Sequence, residues 1–254
     1  MTNLLHPNEN YYERVRTVLF QKGYEKMGAI ITYSGANVAS APGATSLDTA
    51  TGQKYSLTLV NNSGTPWTFY VYQKMPQPVA NVFSLAWFAS PFVIVDGAQI
   101  TFTWEIVYNF VWSATGMLIP GVNFQASQAI EANLSDANTT TFDVTPGPSF
   151  TPPVKGLPSG SLVIKDQSNV PNNTYSVGIG MSGTGTFVAQ AGPNLTHTFT
   201  PTPSYWVAAG NQVTVGTVLD ITTVTLTKEA KFPVNVYSLK GTLGPDNDWT
   251  FVNA

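Results

Sequence analysis

Residues 102–112 read FTWEIVYNFVW. Phe102, Trp104, Ile106, Tyr108, Phe110 and Trp112 alternate with Thr101, Thr103, Glu105, Val107 and Asn109. Successive side chains of a β-strand point to opposite faces of a pleated sheet, so this period of two predicts one extended strand. One face is wide and aromatic, and the other is polar and solvated. A helix of the same residues would scatter its rings around the axis. The aromatic face is therefore expected to be shut between two layers of antiparallel sheet.

The rest of the chain repeats that signal. From Lys54 onward, short alternating runs are separated by Gly, Pro, Asn and Asp. KYSLTLV and TPWTFYVYQ flank NNSG and predict a hairpin, since Asn and Gly accept the positive φ of tight turns. Further strands are expected at VFSLAWFASPFVIV, TTTFDV, GSLVIKD, YSVGIGM, GTFVAQA, LTHTFTP, YWVAAG, VTVGTVLDI, TVTLT, NVYSLKGTL and WTFVN. Many short strands with turn residues between them argue for an antiparallel β-sandwich or barrel. No alternating helical pattern supports a parallel α/β sheet. YSLTLVNNSGTPWTF and YSVGIGMSGTGTF echo one another as two hairpins, over too short a stretch for a repeat. TPGPSFTPPVKGLPSG (145–160) reads as a long exposed loop.

The first 52 residues differ. Residues 1–28 hold four of the eleven basic side chains, and Tyr12, Val15, Leu19 and Tyr24 fall loosely at helical spacing. Three readings stay open: a poorly ordered extension, a docking helix for a neighbouring copy, or a natural start at Met27. SGANVASAPGATSLDTATGQ (34–53) is small, polar and aperiodic, as linkers and surface loops are. The expected organisation is an extension and linker over 1–52 and a β-sandwich over 53–254.

Composition narrows the function. Charged residues make up 10% of the 254, and the formal net charge is -3, so no strong attraction to nucleic acid is expected. The absence of cysteine removes thiolate nucleophiles and Cys-based zinc sites. The N-terminus lacks a signal peptide's basic start and apolar run, and no window has eighteen apolar residues. A cytoplasmic protein without a transmembrane segment is expected. The Asn-x-Ser/Thr triplets at Asn61, Asn133, Asn138, Asn172 and Asn194 would matter only on a secreted chain.

Catalytic chemistry finds little support. The two histidines are His6, near the N-terminus, and His197, alternating with Thr196 and Thr198. A lone strand histidine reads as a polar surface or satisfied core residue, so no metal and no Ser-His-Asp triad is expected. Glu105, Asp96, Asp143, Asp166 and Asp220 carry no mark of a glycosidase pair. DNDW, with Asp246 and Asp248, reads as a turn before the last strand more readily than as a calcium loop. GIGMSGTGTF lacks the following helix that a phosphate-binding fingerprint requires, so it reads as a hairpin with bulges. No catalytic residue and no cofactor is expected. Among the aromatics, Tyr205 and Trp206 follow TPTPS and are singled out as an exposed contact pair, suited to a sugar ring or a lipid headgroup boundary.

SLTLVNNSGTPWTFYVYQKMP, SLAWFA, TFTWEIVYNFVWSATGMLIPGVNFQASQ, SVGIGMSGTGTFVAQAGPNLTHTFTPTPSYWVAAG and FPVNVYSL together resemble the RhiA family of rhizosphere-induced bacterial proteins. The likeness covers about residues 53–254. It implies an abundant, non-enzymatic cytoplasmic protein of plant-associated bacteria, and it supplies no catalytic residues. The LVNNSGTPWTFYVY segment is also similar in style to the first hairpins of aegerolysin-like lipid-binding sandwiches. The leading expectation is a protein that acts through its surface, by self-association or by binding a partner. The second is a membrane- or glycan-binding module.

Overall fold

A computed structural model of the chain describes residues 30–34, 53–77 and 79–254. Every regular element among them is a β-strand. The first six are β1 (Ile30–Ser34), β2 (Lys54–Asn61), β3 (Thr68–Gln73), β4 (Val82–Leu85), β5 (Phe88–Ala89) and β6 (Gln99–Glu105). Then come β7 (Tyr108–Ser113), β8 (Gln128–Ala132), β9 (Thr139–Asp143), β10 (Ser149–Phe150), β11 (Leu162–Asp166) and β12 (Ser176–Met181). The last are β13 (Thr184–Gln190), β14 (Thr196–Phe199), β15 (Tyr205–Gly210), β16 (Val218–Leu219), β17 (Thr227–Glu229), β18 (Ser238–Leu243) and β19 (Trp249–Asn253).

These strands form four sheets and two main cores. The five-stranded sheet β1-β6-β2-β18-β19 and the four-stranded sheet β17-β15-β3-β5 enclose the first. Leu57, Leu59, Phe102 and Trp249 from one layer meet Phe69, Val71, Phe88 and Val207 from the other. The six-stranded sheet β16-β4-β13-β12-β7-β8 and the four-stranded sheet β10-β9-β11-β14 enclose the second. There Phe110, Val177, Ile179 and Phe187 meet Phe142, Leu162, Ile164 and Phe199. Most pairings are antiparallel, while β1 on β6, β9 on β11 and β2 on β18 run parallel. The all-β sandwich class is as expected, with the sandwiching done twice.

The aromatic stretch 102–112 is where the two cores join. It is not one continuous strand. β6 ends at Glu105, β7 starts at Tyr108, and the two lie in different sheets. Phe102 and Trp104 fill the first core, Phe110 and Trp112 the second, and Tyr108 touches both. Ile106, expected on the buried face, sits in the break and is exposed. Ser182 fixes the bend. Its Oγ accepts from Glu105 N–H at 3.0 Å and donates to Glu105 C=O at 2.6 Å, and its own N–H donates to Val107 C=O at 2.9 Å. The face expected to be wet is not wet past the bend either. Val111 is buried because the 114–127 connection lays Leu118 and Phe124 over that side of the six-stranded sheet, and Asn109 is buried beside the β12–β13 turn, accepting from Gly183 N–H.

The 54–73 hairpin is corrected in the same way. β2 pairs with β6 and β18, and β3 pairs with β15 and β5, so the connection crosses from one layer of the first core to the other. The side chain of Asn61, wholly buried, donates to Thr65 C=O and Ile94 C=O and accepts from Ser63. It staples an arch where the turn residues alone suggested a hairpin, with Gly64 supplying the positive φ of 75°. The second glycine-rich segment is the expected hairpin. β12 and β13 pair across Ser182-Gly183 with an irregularity at Ile179/Gly180. Gly178 is required there, since a Cβ would lie 2.0 Å from the Phe187 carbonyl oxygen.

The 145–160 segment is more tied down than an exposed loop. β10 buries Phe150 in the second core, and Val154 bridges to Thr139. Asn138 donates to the carbonyls of Gly156, Pro158 and Ser161. β1 falls in a stretch where no strand was expected. The helix expected between Tyr11 and Met27 lies outside the described residues, as does His6.

Candidate functional site

Strand alternation splits Tyr205 and Trp206. Tyr205 points into the first core, only 5% exposed, against Trp104, Trp87 and Phe232. The pair is therefore not jointly exposed. Burial, the largest cause, drives the Tyr205 phenol well above its ordinary range. The Trp104 indole N–H is close enough to temper that rise, yet the two groups do not meet in hydrogen-bond geometry.

Trp206 points the other way, onto the outer face of the sheet β17-β15-β3-β5, and is half-buried. Register places Tyr72 and Glu229 directly beside it on the two neighbouring strands. Cross-strand neighbours on one face lie close enough for side chains to touch. Tyr72 is buried beneath the rim, its ring 6.4 Å from that of Trp206. Thr227 donates its hydroxyl to Val207 C=O at 2.9 Å, so the Tyr72 hydroxyl acts as donor to Thr227 at 2.9 Å. Burial raises the Tyr72 phenol, and the Thr227 bond opposes it. Tyr70, one row further, is pushed up to about 12 by burial and by Tyr72.

Lys74 completes the group. It follows β3, and Ser204 Oγ donates to its carbonyl at 3.0 Å. Its ammonium lies 3.4 Å from the centre of the Trp206 ring and 5.7 Å from that of Tyr72. An ammonium over an indole face is attracted by the ring quadrupole, by about 0.5–2 kcal/mol depending on desolvation. Burial lowers the Lys74 pKa, and Glu229 works against that. Glu229 in turn pairs with Lys231 at 3.4 Å. A flat ring, a cation and an anion thus share one small rim, with the Tyr72 hydroxyl bonded beneath it. The sequence singles out Trp206 but not Lys74, Glu229 or Lys231. The signal for the last two is KEAK (228–231), a run of charges in a chain that has few.

The other candidates hold bonds within the fold. His197 Nε2 and Asp166 Oδ2 lie 2.9 Å apart, with the carboxylate fully buried and the imidazole nearly so. Gly192 N–H donates to the same Oδ2 at 3.0 Å, and Oδ1 has no partner among the described residues. Asp96 accepts from Gly64 N–H. Asp143 is held below its ordinary range by Asn169 and Thr145, Asp220 by Thr222, and Asp248 by Lys228. Asp246 accepts from Asp248 N–H within a turn. Among the described residues no three His, Asp or Glu side chains are grouped to hold a metal ion, and no helix is long and apolar enough to cross a membrane.

Comparison with known proteins matches residues 52–254 to the RhiA family model. Protein RhiA of Rhizobium leguminosarum bv. viciae is 65% identical over 211 residues, covering 83% of this chain and 90% of that protein. No solved structure matches.

Proposed function

The chain belongs to the RhiA family, and from that premise we propose that it is a non-catalytic cytoplasmic protein of plant- or soil-associated bacteria, acting through its surface by partner binding or self-association. The rim around Trp206 is its contact site. One observation carries this reading: Trp206 is the half-buried member of an otherwise buried aromatic row, with Lys74 over its ring, Glu229 beside it on β17 and Lys231 paired to Glu229. A buried ring serves packing alone. A half-covered ring beside matched charges offers stacking, a donor and an acceptor together, which is what a sugar or a polar peptide surface requires.

A lipid-surface reading draws on a different place. The 91–95 segment exposes Phe92, Val93 and Val95 at one end of the first core, and apolar side chains on a loop are suited to a headgroup boundary. One set of assays separates the two. Native-host lysate, a glycan array and anionic liposomes are probed with the wild type, Trp206→Ala and Val93→Glu. Capture or glycan binding weakened by about fivefold to tenfold in Trp206→Ala alone supports the rim, in line with the stacking energy of one aromatic. Liposome binding lost only in Val93→Glu transfers the function to the loop. Binding indifferent to both substitutions rules out both sites.

A further inference from the structure

Among the described residues, eight strands lie at sheet edges: β1 and β19, β10 and β14, β16 and β8, and β17 and β5. An edge offers unpaired N–H and C=O groups to any extended chain, and proteins blunt such edges by brevity, charge or proline. β5, β10 and β16 have two residues each, and β17 has three with Lys228 and Glu229 among them. β8 displays exposed Glu131. β14 is flanked by Pro193 and Pro201. The two edges of the five-stranded sheet remain, and β19 carries none of these devices within its own span. Trp249–Asn253 is five residues long, with no charge, no proline and no glycine.

The free side of β19 can be read from its bound side. Gly244 N–H donates to Asp248 C=O, and Ala254 N–H donates to Ser238 C=O. In an antiparallel ladder the bonded residues alternate, so Thr250 and Val252 face β18. Phe251 and Asn253 therefore turn their N–H and C=O outward. Their side chains are also incompletely covered. Phe251 is half-buried over Trp249, Val252 is 60% exposed, and Asn253 is exposed.

We propose that β19 pairs antiparallel with β19 of a second copy, Phe251 opposite Phe251, joining two five-stranded sheets into one. This rests on the reading that the protein acts through its surface, self-association included. The outward groups suit a two-fold arrangement. Each Phe251 exchanges bonds with its counterpart, and each Trp249 faces the partner's Asn253. Thr250 then lies opposite Val252, so no like charges meet along the ladder. The pairing also finishes covering Phe251 and Val252.

Sedimentation velocity from about 1 to about 100 µM, the range of a moderate dimer, reads this directly. The wild type is expected to pass from monomer to dimer. Asn253→Pro removes an outward N–H while sparing the bonds to β18, and is expected to weaken the dimer about tenfold. Thr250→Lys/Val252→Lys places lysines opposite one another and is expected to abolish it. An equimolar mixture with Thr250→Glu/Val252→Glu is expected to restore a dimer of one copy of each. Monomer throughout, species growing beyond a dimer, or a dimer indifferent to all these changes overturns the pairing. A monomer that still binds through Trp206 overturns the pairing alone and leaves the surface-binding reading standing.

Discussion

Trp87→Ala is expected to lower the stability of the protein by about 3–5 kcal/mol, the range for deleting a buried large aromatic. Trp87 is fully buried between β4 and β5, where the chain leaves the six-stranded sheet for the four-stranded sheet of the first core. Its ring lies 4.1 Å from Phe88, 5.3 Å from Trp104 and 6.0 Å from Tyr205. Its indole N–H donates to Met181 C=O at 3.0 Å, on β12 of the other sheet. Alanine leaves a cavity that three rigid rings cannot close and removes a bond between the two halves. Trp87→Phe keeps most of the ring and loses the donor, so its cost is expected near 1–2 kcal/mol, roughly a hydrogen bond and a small void. Urea unfolding followed by circular dichroism measures both. Equal costs for the two variants would show that the indole bond, and not the ring, is what matters.

His197→Ala is expected to cost about 3–5 kcal/mol as well, for an electrostatic reason. The Asp166 carboxylate is fully buried, and His197 Nε2 is the side-chain group that meets it at 2.9 Å. Removing the imidazole leaves that carboxylate with one backbone donor, the Gly192 N–H. A buried carboxylate without its partner is costly. Asp166→Ala removes the acceptor for both groups. In the double variant the remaining charge is gone, so its loss is expected to fall short of the sum of the two single losses by about 1 kcal/mol or more, as about 0.5–3 kcal/mol is usual for contacting pairs. Additive losses would mean that the two side chains do not act as a pair.

These residues show what could be read from the chain beforehand. His197 alternates with threonines, which placed it on a strand and made it a satisfied polar residue. Its partner Asp166 is 31 positions away and is brought near by the β11–β14 pairing. Long-range pairing of that kind leaves no local mark. Period-two alternation located most strands, because each needs one face against a core, but it missed β1, β8 and the two-residue β10. It failed at Ile106, since a strand can change cores without breaking its alternation, and only Ser182, far along the chain, reveals the bend. The NNSG turn was legible, but hairpin and arch use similar turn residues. The buried Asn61 side chain decides between them through Ile94. At the candidate site, an aromatic pair was visible but not which ring faces out. Lys74 and Glu229 join Trp206 only because three strands run side by side.

The aromatic residues of 102–112 serve two cores on either side of a bend. Phe102 stacks on Phe88 at 5.5 Å in the first core, and Phe110 lies 6.1 Å from Phe150 in the second. The most direct measurement is a pair of double-mutant cycles on unfolding free energy with the mild substitution Phe→Leu. Phe88→Leu and Phe102→Leu are expected to couple by about 0.5 kcal/mol or more, as contacting residues do. Phe102→Leu and Phe110→Leu are expected to add to within about 0.3–0.5 kcal/mol, as distant residues do. Coupling between Phe102 and Phe110 as large as that between Phe88 and Phe102 would contradict the divided stripe and return both rings to a single core.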